Sequence, residues 1–225
     1  RKLASLGPTR IQLEVVKVLP GTCFRSEAGA SNVRFAPDPP YEVLETPCMS
    51  TNEVMLAADL GALVDRFYNS PGLRHCFRAA VELSDAFPLD FLHFLRECTD
   101  VSQPVSIQRR FRLFHAYAVH RQSDSLAEAL AVAWVRNGLP PCHGPVPAKR
   151  WVEPIPDDAE PQACVSSQAP HPQRLRTWHM TVGDNDWWLQ FDPSKSKSPA
   201  VAMYTRAART CGTASPVACN QRQRR

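Results

Sequence analysis

The sequence predicts an α+β protein: a mainly α-helical core of about five helices with peripheral β-strands, an aromatic β-hairpin and extended proline-rich arms. Three observations carry that prediction. Residues 50–138 place apolar side chains at the helical period, punctuated by N-cap and stop signals. The segments on either side carry short branched or aromatic runs bounded by Pro, Gly, Asn and Asp. Prolines number 21 and glycines only 9, so the connections are stiff rather than loose.

Residues 1–49 read as a strand-and-loop arm. "IQLEVVKVL" (11–19) alternates in part and stops at Pro20-Gly21, which predicts a strand. "NVRFA" and "YEVLE" are two further short strands, separated by Pro37, Pro39 and Pro40. The opening "RKLASLGPTR" is basic and free of acid. An ordinary unstructured end is the expectation, and a transit-peptide remnant the alternative.

The core domain, 50–138, begins with a capping box, Ser50 and Glu53. Leu56, Leu60, Leu63 and Phe67 then form one stripe. Ser70 caps a second helix with Pro71 at its first position, and Leu73, Phe77, Ala80, Ser84 and Phe87 share a side. Pro88 opens a short helix rich in Leu and Phe. Ser102 and Pro104 are expected to start the fourth helix, and Ser125 with Glu128 to box the fifth. Asn137-Gly138 ends it, with Leu139 folding back.

Residues 139–172 hold 9 prolines and predict an extended connection or an arm laid over a surface. Residues 173–192 predict a hairpin, with "GDND" as its turn. Alternation puts Trp178, Met180 and Val182 on one face of the first run. It puts Trp187, Leu189 and Phe191 on one face of the second, with Trp188 and Gln190 turned away. A lone hairpin is marginal in water, so this one must pair with a strand, pack on the helices or dock on another protein.

The net charge of +4 is local. Residues 193–225 hold 7 basic groups and no acid, and the rest of the chain is net −3. That tail is expected to be disordered, with Lys195, Lys197, Arg206 and Arg209 available to anions, including nucleic acid. The stretch "SIQRRFRLFHAYAVHR" (106–121) also mixes arginine with aromatic rings. On a helical wheel Ile107, Phe111, Phe114 and Ala118 cluster, but Arg109 and Arg112 share their side with Val105, Leu113 and Val119. A nucleic-acid helix gathers its cations on one exposed face. This pattern instead predicts a central helix touching neighbours on two sides, its flanking arginines pairing with Glu82, Asp85, Glu97 or Glu128.

Chemistry is sparse. None of the 8 cysteines is spaced C-x-x-C, which excludes zinc ribbons and thioredoxin-type motifs. There is no phosphate-loop signature and no G-x-G-x-x-G, so a standard nucleotide-binding fold is not expected. No metal and no cofactor are expected: His115 and His120 miss the i, i+4 spacing of a helical metal pair. Cys142 in "PPCHGP" is the best nucleophile candidate, with His179 or His115 as base, and would make a cysteine-dependent hydrolase or transferase. No apolar run reaches the ~20 residues of a bilayer span. Helical cysteines and the lack of an N-x-S/T sequon favour an intracellular setting, an organelle included.

The expected function is therefore a non-catalytic structural or protein-interaction subunit of a larger assembly. Its arms and its hairpin, with Trp178, Trp187, Trp188 and Phe191 as anchors, would be the contact surfaces. The alternatives are the Cys142 enzyme and a nucleic-acid-binding accessory protein acting through the basic tail.

Overall fold

Four of the five long helices start where a serine, Ser50, Ser70, Ser106 or Ser123, meets an apolar period. In the computed structural model, which describes residues 2–99, 103–162, 175–192, 200 and 202–207, two very short helices precede them. These are α1 (Lys2–Ser5) and α2 (Cys23–Glu27). Ser50 then caps α3 (Thr51–Leu63), and Glu53 accepts hydrogen bonds from the Ser50 amide (2.8 Å) and hydroxyl (2.7 Å). Those bonds, the Ser50 hydroxyl first, hold the Glu53 carboxyl below its usual range.

The chain leaves α3 through a π-helical turn, Val64–Tyr68, closed by Asn69 N–H donating to the Val64 carbonyl at 3.0 Å. The wider turn lets Phe67 and Tyr68, adjacent in sequence, both bury. Ser70 and Pro71 open α4 (Pro71–Leu83) as expected. The third long helix, α5 (Phe87–Cys98), begins one residue before Pro88. The start of the fourth is corrected: α6 spans Ile107–His120, and its cap is Ser106, which accepts the Arg109 N–H at 3.3 Å. Ser106 has a free side chain to offer in extended backbone, whereas Pro104 fixes the residue before it away from the helix. The fifth, α7 (Asp124–Arg136), starts after Ser123, which holds the N-cap position without a side-chain cap bond, so the expected box of Ser125 and Glu128 is also corrected. It ends at Asn137 and Gly138, whose φ is +70°, and Leu139 N–H folds back to the Trp134 carbonyl.

The five long helices meet over a cluster of rings. Phe91 lies 4.9 Å from Phe67, 4.8 Å from Phe114 and 4.9 Å from Tyr117, while Phe77 and Phe87 are 5.0 Å apart. Phe91, Phe111 and Phe114 are fully buried, which confirms α6 as a central helix. Its arginines do not use the acids expected of them. Arg110 donates to the Val105 and Arg66 carbonyls, Arg112 to the His143 carbonyl, and Arg121 pairs with Asp90 at 3.5 Å.

The N-terminal segment is strapped across this core. Asn69 donates to the Ile11 carbonyl (2.7 Å) and accepts the Ile11 N–H (2.9 Å), and the Tyr68 hydroxyl donates to the Pro8 carbonyl at 2.6 Å. The strand expected over 11–19 is only one antiparallel bridge, Lys17 to Glu42. Asn69 takes the Ile11 backbone that a ladder would have used. The other two short strands form: β1 (Arg34–Phe35) pairs antiparallel with β2 (Val43–Glu45), over a small second core of Val18, Ala28 and Val43.

The second sheet has five strands. They are β3 (Lys149–Trp151), β4 (Glu160–Gln162), β5 (Arg176–Val182), β6 (Asn185–Phe191) and β7 (Ala202–Ala207), in the order β3-β5-β6-β7-β4, all antiparallel. The hairpin turn is two residues, Gly183-Asp184, rather than four, because Val182 and Asn185 already pair. Gly183 takes φ +56°, as the first position of a tight primed turn requires. The basic tail is corrected in part: residues 202–207 are an inner strand of this sheet, not a disordered end. Met203 (1% exposed) is buried within an otherwise half-buried strand, AMYTRA, a short run that the charge count concealed.

Candidate interaction surface

Cross-strand pairs Met180–Trp187 and Trp178–Leu189 put those side chains on one face of the sheet. Met180, Val182, Trp187, Leu189 and Met203 join the helical core, with Trp178 and Phe191 packed against it. Glu128 of α7 anchors this face. Its carboxylate accepts the Trp187 indole N–H at 2.7 Å and the Asn185 amide at 2.8 and 3.0 Å.

The outward face carries a second cluster. The His179 ring sits 5.0 Å from Trp151 and 5.2 Å from Trp188. His179 Nε2 is 3.1 Å from Asp186, which also accepts the Thr181 hydroxyl at 2.8 Å. Arg206 stands 5.1 Å over the Trp188 ring, donates to Asp158 at 2.8 Å and faces Asp186 at 3.6 Å. Burial alone pushes the Asp186 carboxyl up, but the Thr181 and His179 hydrogen bonds and the nearby cations outweigh it, and the net shift is down.

These contacts revise the sites expected from sequence. Trp187 and Trp188 are 8% and 1% exposed, so both rings are consumed inside the chain instead of standing out as partner anchors. Trp178 and Phe191 are half-buried on the same core-facing side. Arg206 is not an open anion site, because two carboxylates already hold it. Lys195, Lys197 and Arg209 lie outside the described residues. Cys142 is exposed in a single turn of 3-10 helix (Pro141–His143), and among the described residues no hydrogen bond joins it to His179, whose Nε2 faces Asp186 at 3.1 Å. Among the described residues, no three His, Cys, Asp or Glu side chains gather as a metal would need. Nor is any described helix long and apolar enough to cross a membrane.

The surface that does stand open was not read from the sequence. A groove of about 370 Å³ lies between the N-terminal strap, α2, the β2 turn and α3. Leu13, Val16, Phe24, Met49, Val54 and Leu60 are among its walls. Leu13, Val16, Phe24 and Met49 are 44%, 59%, 38% and 38% exposed, which is unusual for large apolar groups gathered in one place. The backbone beside it has a free edge. Val18 N–H donates to the Tyr41 carbonyl and Val43 N–H to the Val16 carbonyl, so Lys17 faces Glu42 as a non-hydrogen-bonded pair. In that geometry the Lys17 N–H and C=O turn away from β2, towards the outside. The signal that could have revealed the groove is the apolar run of 13–19, broken only by Glu14 and Lys17, read as a strand with nothing on its second side.

A family model, DUF4080, described as a protein of unknown function, matches residues 31–161, more than half of the chain. The chain belongs to that family. The family stretch runs from just before β1, through all five long helices, to β4, and the hairpin and β7 follow it. No curated protein and no solved structure matches the chain.

Proposed function

We propose that this DUF4080 protein is a non-catalytic protein-interaction subunit, and that it takes an extended, apolar segment of a partner protein into the groove beside Lys17. The observation that carries this reading is the open apolar groove walled by Leu13, Val16, Phe24 and Met49. Two features choose an extended protein segment as its occupant. The outward N–H and C=O of Lys17 are a template for one more strand. Apart from Glu14 and Thr46 the groove walls are apolar, which gives a small polar ligand few groups to orient it. The described cysteines Cys23, Cys48, Cys76, Cys98 and Cys142 are free, which supports the intracellular setting expected for such a subunit.

The test is a photo-crosslinking amino acid at position 49 in the native host, followed by reconstitution with the purified crosslinked partner. Val16→Asp, an exposed change, is expected to weaken that complex by about tenfold or more, since it puts a charge where apolar area is buried. Affinity unchanged by Val16→Asp would reject the groove as the contact surface.

A further inference from the structure

We propose that a second cleft, on the far side of α6, binds the oxyanion group, phosphate or carboxylate, of a small ligand through Arg112. The cleft encloses about 460 Å³ between α6 and the loop after the 3-10 turn. Arg112 and His115 line it from the helix, one turn apart, and His143, Gly144 and Pro147 line it from the loop.

Arg112 is held without being neutralised. One terminal nitrogen donates to the His143 carbonyl at 2.8 Å, and the guanidinium carbon lies 5.7 Å from the centre of the Trp134 ring. Trp134 is itself fixed, buried, with its indole N–H on the Pro140 carbonyl at 2.8 Å. Gly144 lets the loop close on that ring: a Cβ there would meet the indole at 3.3 Å. A carbonyl and a ring face orient the guanidinium, but neither cancels its charge. Arg112 has no carboxylate partner among the described residues, and no acidic residue lines the cleft. The guanidinium has five N–H donors, so a planar pair remains for an oxyanion.

His115 adds a second unfilled group. Its Nε2 is shielded from solvent and has no hydrogen-bond partner, and burial pushes its pKa down. A neutral imidazole still donates from one ring nitrogen, and a half-turn about its Cβ–Cγ bond moves Nε2 to the other edge of the ring. As the ring stands Nε2 is shielded from solvent, so an oxyanion in the cleft meets Arg112 first and reaches that nitrogen only after the half-turn. The acid-free lining and the oriented arginine point to that ligand chemistry.

The experiment is calorimetric titration of the full chain, in a low-salt buffer without oxyanions, with inorganic phosphate and separately with acetate. Saturable binding of phosphate, or of acetate, that Arg112→Ala weakens about tenfold or more supports the site and tells which oxyanion it prefers. Absence of saturable binding to both, or binding indifferent to Arg112→Ala, overturns it. Pro147→Glu, at an exposed position lining the cleft, keeps the test decisive should Arg112→Ala misfold. It is expected to abolish the same binding by placing a carboxylate where the anion would sit, and retention of that binding also overturns the proposal.

Discussion

At the scale of single residues, Glu128 shows how one carboxylate can be misread and then prove central. Its position three residues after Ser125 suggests a cap, yet its oxygens face the hairpin and hold Asn185 and Trp187. Removing it leaves a buried indole N–H with no acceptor. Glu128→Ala is therefore expected to destabilise the chain by about 1–3 kcal/mol in urea unfolding. Glu128→Gln keeps an acceptor oxygen and should lose clearly less. Equal losses from the two variants would show that packing, not the hydrogen bond, is what Glu128 supplies. Cys76 is the opposite case. Its place inside a predicted helix already suggested a small apolar role, and burial pushes the thiol up to about 12, which makes it an inert packing group.

At the scale of elements, helices were legible and strands less so, for a reason seen in α3. Its capping box and its stripe are local, set by residues three and four apart. What lies on its other side is not local. Gly61 is a poor helix former, and on propensity alone Gly61→Ala should stabilise α3 by up to about 1 kcal/mol. The structure predicts the reverse sign: a Cβ at Gly61 would stand 2.5 Å from the Leu13 carbonyl oxygen, pushing the N-terminal strap off the helix. Thermal unfolding of Gly61→Ala should show a lowered midpoint, and a raised midpoint would mean that the strap yields freely. The same strap forms one wall of the apolar groove, so this glycine also shapes the proposed contact surface. For the strands, alternation gave the correct faces of β5 and β6, but the partner strands β3, β4 and β7 lie in segments whose prolines and charge masked short pairing runs.

At the scale of the whole molecule, Asp186 and Arg206 form a clasp. Arg206 on β7 reaches Asp158 in the arm before β4, and Asp186 on β6 reaches His179 on β5. Three strands and an arm are tied at one point. The Asp186 pKa is lowered in the folded chain, so the contribution of its charge to stability is present above the ordinary aspartate range. It is lost as pH falls through the depressed folded value. The gap in urea midpoint between the native chain and Asp186→Asn should accordingly be widest near neutral pH and shrink below about pH 4. A gap that stays constant into acid would mean that the carboxylate charge adds nothing to the clasp.

The sequence by itself determined the helical core, its capping and stops, the faces of the aromatic hairpin and the α+β class. All of these depend on neighbours within a few residues. The tertiary structure alone decided where the arms lie, which rings remain exposed and which charges remain unpaired. Trp188 and Arg206 read as surface groups until β7 and the 158 region close over them, while Leu13, Val16 and Arg112 read as ordinary until nothing covers them. Exposure is a property of the assembled surface, set by contacts between segments far apart in the chain, and no local period encodes it.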